Sequence, residues 1–195
     1  MRLVLGLVAT CLPLLAAPAF ADCADEIQST MARLARARPV LITSTIERQD
    51  GLTNVVTEIV QGAMHTRQET GGVITEHTLL GDRAWRNEGG RWTELPAETA
   101  AAHAAAFNAP TNMGFYGMDN VECLGTDTQT SLQSYRLTYF DSGVRMRAAL
   151  QVDPALKLPI TMETSSEGDE KWIMTGRFTY DADITVEAPV DGAAR

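Results

Sequence analysis

Strand-length segments separated by glycine-bearing turns dominate the chain between Val40 and Leu95. They recur at intervals of about ten residues and are rich in β-branched side chains. No connection between them is long enough for a crossover helix, so consecutive strands should pair antiparallel. The predicted strands are Val40–Gln49, Thr53–Val60, Ala63–Glu69, Val73–Leu80, Ala84–Asn87 and Arg91–Glu94.

The carboxy-terminal half continues this pattern with a clear alternation of apolar and polar residues. Between Val144 and Asp153 every second residue is apolar, which is typical of a strand with one dry and one wet face. Further strands are predicted at Ser131–Asp141, from Leu158 onward, at Trp172–Tyr180 and at Asp183–Ala188.

Two segments have helical character. Asp22–Ala37 has apolar residues at helical spacing and ends before Pro39, and Glu98–Phe107 is rich in alanine. Asn108–Asn120 is predicted to be a long loop with exposed aromatic residues. A sheet of ten or eleven strands must twist and curl. The predicted fold is therefore α+β, mainly β: a single strongly curved antiparallel sheet, or half-barrel, covered by two or three short helices.

The amino terminus predicts export. Residues 1–21 combine Arg2, an apolar run and Ala19-Phe20-Ala21, which is typical of a signal peptide cleaved after Ala21. Lipid attachment at Cys23 is the alternative, but the preceding Asp22 does not suit such a site. We expect a periplasmic protein with one domain, residues 22–195, and no transmembrane segment.

The net charge limits the classes of partner, and the cysteines indicate the compartment. The chain has 25 acidic and 16 basic residues, a net charge of −9, which disfavours nucleic acid and anionic membrane surfaces. Cys11 leaves with the signal peptide, so Cys23 and Cys123 are predicted to form a disulfide in an oxidising compartment. A structural role is favoured over redox chemistry because no Cys-x-x-Cys spacing occurs.

No catalytic or metal-binding pattern is present in the sequence. His65, His77 and His103 are scattered without ligand spacing, and no Gly-x-Ser-x-Gly or Cys-His arrangement occurs. The methionines lack a Met-x-x-Met cluster, which leaves copper handling as a minor alternative. We therefore expect no enzyme activity, no catalytic residues, no metal and no cofactor.

The order of the motifs resembles the LolA-like superfamily, which contains the periplasmic lipoprotein carrier and related lipid-binding proteins. The resemblance lies in the helix and strand at Glu26–Glu47 and in Leu80-Gly81-Asp82-Arg83-Ala84-Trp85 with Gly90–Pro96. It continues in Val152–Pro154 with Leu158–Ile160, and in Phe178–Asp181 with Ile184–Pro189. It implies a curved antiparallel sheet closed by helices over an apolar cavity that binds acyl chains. The carrier's motif around its functional arginine is not recognisable, which favours a divergent member.

These observations predict a non-catalytic carrier or sensor of lipid or lipoprotein acyl chains. The alternative is an envelope interaction or stress-sensing module that docks a protein partner through residues 108–120. The three tryptophans are more typical of the protein core or of sheet packing than of ligand contact, whereas the methionines and Phe178 suit either role equally. The residues expected to line the ligand cavity are Trp85, Trp92, Met146, Met162, Trp172, Met174 and Phe178, and the lid candidates are His103, Phe107, Phe115 and Tyr116.

Overall fold

The computed structural model describes residues 20–108, 115–168 and 170–189. Within them lie two helices and eleven strands. These elements are α1 (Phe20–Leu34), β1 (Val40–Arg48), β2 (Gly51–Val60), β3 (Ala63–Thr70), β4 (Val73–Leu80), β5 (Arg83–Glu88), β6 (Arg91–Glu94), α2 (Ala97–Asn108), β7 (Tyr116–Thr126), β8 (Gln133–Asp141), β9 (Val144–Asp153), β10 (Leu158–Ser166) and β11 (Trp172–Thr179).

All eleven strands form one antiparallel sheet that does not close on itself. Its order is β6-β5-β4-β3-β2-β1-β11-β10-β9-β8-β7. Every neighbouring pair is consecutive in the chain except β1 and β11, which join the two halves of the sheet. The predicted fold class, a curved mainly β structure with few helices, is confirmed.

Two local predictions are wrong. The loop predicted at Asn108–Asn120 is shorter, because β7 already begins at Tyr116; residues 109–114 lie outside the described part of the chain. Gly117 and Asn120 have positive φ, and the register with β8 shifts repeatedly, so this bulged strand looks like a turn in sequence. Asp183–Ala188 is not a strand. This segment cannot pair with the preceding strand β11, because both edges of β11 are already paired, one with β1 and the other with β10.

The two helices pack on the same face of the sheet, here called the inner face. The residue row Val40, Ile59, Met64, Leu79 and Ala84 crosses five strands on this face, because directly opposed residues point to the same side. At one end the row joins the core beneath α1, and at the other it lies under α2. The opposite side is called the outer face.

Helix α1 supplies the main core. Ile27, Met31 and Leu34 are buried against Leu137 and Leu150 of the inner face. Each such side chain contributes about 1.5 to 3 kcal/mol by leaving water. A second attachment is polar: the Tyr135 hydroxyl donates a hydrogen bond to Glu26 Oε2 at 2.8 Å. Burial and this bond raise the pKa of Tyr135. Helix α1 is therefore a fixed part of the fold.

Helix α2 covers the other end of the inner face through small side chains. Ala100 is buried against Leu79 and Ala84, and Phe107 contacts both core clusters. The Arg38 guanidinium lies 5.6 Å from the Phe107 ring centroid and donates to the Leu34 carbonyl at the end of α1. Arg38 thus links the ends of the two helices. Neither helix in the described residues is long and apolar enough to cross a membrane.

The predicted disulfide joins Cys23 of α1 to Cys123 of β7, with the Cα atoms 5.7 Å apart. It closes a loop with a sequence separation of 100 residues. We expect the double variant Cys23→Ser/Cys123→Ser to lose roughly 4 kcal/mol of unfolding free energy, since the cross-link restricts the unfolded chain. Urea titration with and without dithiothreitol measures this. Reductant should lower the wild-type midpoint and leave the double variant unchanged; equal midpoints in all four samples would contradict the prediction.

Candidate ligand-binding face

Five of the seven predicted cavity residues share the inner face. They lie in successive residue rows across the sheet, as the strand registers require. The first row lies where β1 ends and β11 begins: there Met146 is opposite Ser166, and Trp172 is opposite Arg48. The second row consists of Ala148, Thr164, Met174 and Ile46, and the third of Leu150, Met162, Gly176, Ser44 and Val55. Beyond them, Phe178 is opposite Ile42.

Burial divides these residues into two groups. Met146 and Phe178 are 2% and 5% exposed, so the protein itself already covers them. The remaining apolar residues are only half-buried. They lie between the area under α1, which contacts β7 and β10, and the area under α2, which contacts β4 and β5. We call this group the open strip; it consists of Ile46, Val55, Met162, Trp172 and Met174.

Gly176 lies among the residues of the open strip and has no side chain to cover the sheet backbone there. Gly176 is buried between Met162 and Ser44, and its φ lies outside the left-handed region. A Cβ atom there would lie 3.4 Å from Ser44 Oγ and 3.7 Å from the Met162 carbonyl oxygen. The backbone conformation therefore does not require glycine. Its effect is to leave a shallow depression on the inner face.

Threonines line the inner face next to the open strip. The hydroxyls of Thr57 and Thr66 are 3.3 Å apart, and those of Thr53 and Thr70 are 2.9 Å apart. Thr164 lies between Ala148 and Met174, and its Oγ1 is buried without a hydrogen-bond partner among the described residues. The face is thus mixed in character, apolar along the strip with hydroxyl groups beside it.

Trp85 and Trp92 do not join this group, because both lie on the outer face. Trp85 is opposite Thr78, and Trp92 is opposite Asn87, whereas Ala84 lies on the inner face. Trp85 is 7% exposed and has the Arg83 guanidinium 4.7 Å from its ring. The two tryptophans therefore belong to a separate cluster on the far side of the sheet.

This outer cluster contains a buried acidic network that the sequence analysis missed. The Asn87 amide donates to Glu76 Oε2 at 2.7 Å, and His65 Nε2 lies 3.6 Å from Glu76 Oε1. His65 Nδ1 is 2.9 Å from the Thr78 hydroxyl, and the His65 ring lies 6.2 Å from that of Trp92. Glu76 is 2% exposed and Thr78 is 3% exposed, so no substrate reaches this hydroxyl in the observed conformation.

The lid candidates occupy different positions. His103 is exposed on α2, whereas Phe107 is packed into the core. Burial, Arg86 and His103 lower the pKa of His77 on the inner face of β4. Phe115 packs against Tyr139 with ring centroids 4.6 Å apart. Tyr116 opens β7, and its side chain lies outside the described residues.

Among the described residues no group of three His, Cys, Asp or Glu side chains could hold a metal ion.

Comparison with known proteins gives a structural match but no sequence match. No family model and no curated protein matches the chain. The structure of MucB matches with a TM-score of 0.51 at 15% identity, over 88% of this chain and 64% of MucB. This chain has a LolA-like fold. It spans less than two thirds of the length of MucB.

Two further structures resemble this chain more weakly. The MucA/MucB complex of Pseudomonas aeruginosa matches at 16% identity and a TM-score of 0.37, over 83% of this chain and 59% of the matched chain. A LolA superfamily protein from Nitrosomonas europaea matches at 12% identity and a TM-score of 0.31, over 83% of this chain and 94% of the other. At such identities the likeness concerns the fold alone.

The outer cluster predicts a stability effect. Asn87→Ala removes the amide that donates to the buried Glu76 carboxylate, so the unfolding free energy should fall by about 1 to 3 kcal/mol. Asn54→Ala is the matched control, because Asn54 is exposed on the outer face of β2. It should change the unfolding free energy by about 0.5 kcal/mol or less. Urea denaturation measures both; equal losses would mean that the network contributes nothing particular.

Proposed function

We propose that the protein is an exported, non-catalytic binding or carrier protein for a lipid or for the acyl chains of a lipidated protein. The observation that carries this proposal is the open strip. It places half-buried apolar side chains side by side on the inner face, between the areas that α1 and α2 cover. A ligand lying there would bury surface that the two helices leave exposed.

An acyl chain suits this surface in both chemistry and flexibility. Burying each methylene contributes about 0.8 kcal/mol, so a chain covering even part of the strip would bind measurably. The strip contains Met162 and Met174, and methionine adapts to irregular apolar partners. The half-buried hydroxyls of Thr57 and Thr66 nearby favour an amphiphile over a purely hydrocarbon ligand.

Periplasmic location is part of the proposal. It is supported by the predicted signal peptide and by the disulfide. The disulfide favours an oxidising compartment. Carrier and sensor roles need the same binding face, and the proposal covers both.

Gly176→Leu tests the site. A leucine side chain at this position would fill the depression between Met162 and Ser44. We expect it to weaken binding of a dansyl-labelled fatty acid by about tenfold or more, since the new side chain occupies the ligand's position. Titration of the delipidated mature protein with the probe, followed by dansyl fluorescence, measures this affinity.

Thr175→Leu is the matched control, because it adds a leucine to the same strand on the exposed outer face. It should leave the affinity within about twofold of wild type. Circular dichroism melts of both variants separate lost binding from lost folding. Equal affinities for wild type and folded Gly176→Leu would contradict the proposed site, and no detectable probe binding by wild type would contradict the proposed function.

A protein partner is the second candidate, supported by the structural likeness to MucB, which forms a complex with MucA. The sequence predicts docking through residues 108–120. Of that segment Phe115 packs against Tyr139 and the core, and the chain from Tyr116 onward belongs to β7. Residues 109–114 lie outside the described part of the chain. In the described part of the segment, Gly117, Asp119 and Asn120 are exposed on β7, an edge strand that a partner could contact.

A further inference from the structure

The inner face changes character where it continues from the open strip onto β2, β3 and β4. Five polar side chains follow the strip there, and we call them the polar patch; it consists of Thr57, Thr66, Gln68, Thr75 and His77. One row of the patch starts at the strip, because Val55 is opposite Gln68 and Gln68 is opposite Thr75. The other three residues form the next row. The patch and the strip are therefore neighbours on one side of the sheet.

The inner face of β2, β3 and β4, which are described in full, carries no Asp, Glu, Lys or Arg. Every such residue of these strands lies on the outer face instead; these are Glu58, Arg67, Glu69 and Glu76. Across the whole chain 21% of residues are charged, so this separation of the two faces is pronounced. The patch thus offers hydrogen bonds without a fixed charge.

The patch has hydrogen-bonding capacity left for a ligand. The hydroxyls of Thr57 and Thr66 are 3.3 Å apart, and their contact uses one donor and one acceptor. A hydroxyl has one donor and two acceptor positions, so the pair keeps one O–H and three lone pairs. Both threonines, with Thr75 and His77, are only half-buried. The helices make their main contacts with other strands, α1 with β7 and β10 and α2 with β5.

His77 is uncharged at neutral pH. Burial, the Arg86 charge and His103 of α2 lower its pKa, and Glu88 opposes them. A neutral imidazole both donates and accepts a hydrogen bond. The charges nearest to His77 on the sheet, Arg86 and Glu88 of β5, are ion-paired with each other. Arg91, opposite Glu88 on the edge strand β6, lies one strand farther away.

We propose that the polar patch binds an uncharged, hydroxyl-bearing headgroup, such as a sugar, of the lipid whose acyl chains lie on the open strip. An anionic headgroup would meet no cation in the patch, and the net charge of −9 would repel it. The strip spans three strand spacings, about 14 Å, and the patch two more, about 10 Å. The inference rests on the proposed lipid-binding function and adds the class of headgroup to it.

Competition between two lipids with identical dioleoylglycerol portions tests this. Delipidated mature protein is incubated with phosphatidylcholine vesicles that contain galactosyl dioleoylglycerol and dioleoylphosphatidylglycerol in equal amounts, and is then separated from them. The bound lipids are quantified by mass spectrometry. We expect about ten times more galactolipid than phosphatidylglycerol on the wild-type protein, since one or two hydrogen bonds of ordinary strength correspond to a factor of this size.

The variants locate the preference. Thr57→Val/Thr66→Val replaces both hydroxyls by methyl groups of similar size, so it should still take up lipid but bring the ratio close to one. Thr57→Ser/Thr66→Ser keeps both hydroxyls and should keep most of the enrichment. Thr175→Val/Thr179→Val is the matched control, because both threonines are exposed on the outer face of β11; it should leave the ratio unchanged. If the double valine variant fails to fold, Thr66→Val alone decides the question.

The outcomes distinguish the two proposals. If wild type binds none of the offered lipids, the proposed function itself fails. If wild type takes up both competing lipids equally or prefers phosphatidylglycerol, lipid binding stands and the role of the polar patch is overturned. The same holds if the folded valine variant keeps the full enrichment. Loss of enrichment with retained total uptake supports the patch.

Discussion

The pairing of β1 with β11 is the interaction on which the rest of the structure depends. It joins two runs of hairpin-connected strands, β1 to β6 and β7 to β11, into one sheet. The pairing spans most of the chain, so it carries a large loop-closure cost that local hairpins avoid. Buried contacts near its inner end offset that cost, because Val40 and Phe178 belong to the same core as α1.

The candidate site forms across this same junction. Met174 is opposite Ile46, and Trp172 is opposite Arg48, so neither half of the sheet holds the open strip alone. Helix α1 covers one side of the inner face and α2 the other, with the junction between them. One long-range pairing thus produces both the fold and the surface that we propose binds lipid.

The local hairpins could be predicted from the sequence because glycine turns fix them. Gly89 and Gly90 have positive φ, which suits a two-residue hairpin turn, and they set Glu88 opposite Arg91. The same register could have shown that Trp85 and Trp92 lie on one face and Ala84 on the other. Residue type alone assigns both tryptophans to the cavity, whereas this register places them on the face opposite the open strip.

Other features lie beyond single-sequence reasoning. The bulges in β7 break the alternation that predicts a strand, so Tyr116–Asn120 looks like a loop. The pairing of β1 with β11 places the apolar face of the carboxy-terminal strands beside that of the amino-terminal strands. No turn connects β1 to β11, so no local sequence pattern predicts this pairing. The burial of Glu76 depends on Asn87 and His65 from two other strands. Such contacts follow from tertiary structure and not from local propensity.

We propose above that the inner face carries a lipid in the native protein. The most direct measurement is mass spectrometry of organic extracts from the mature protein, purified from periplasm without detergent beside a control periplasmic protein. We expect a lipid or acyl species, in near-stoichiometric amount, that is found only with this protein. Extracts identical to those of the control, from protein that also fails to bind added fatty acid, would contradict it.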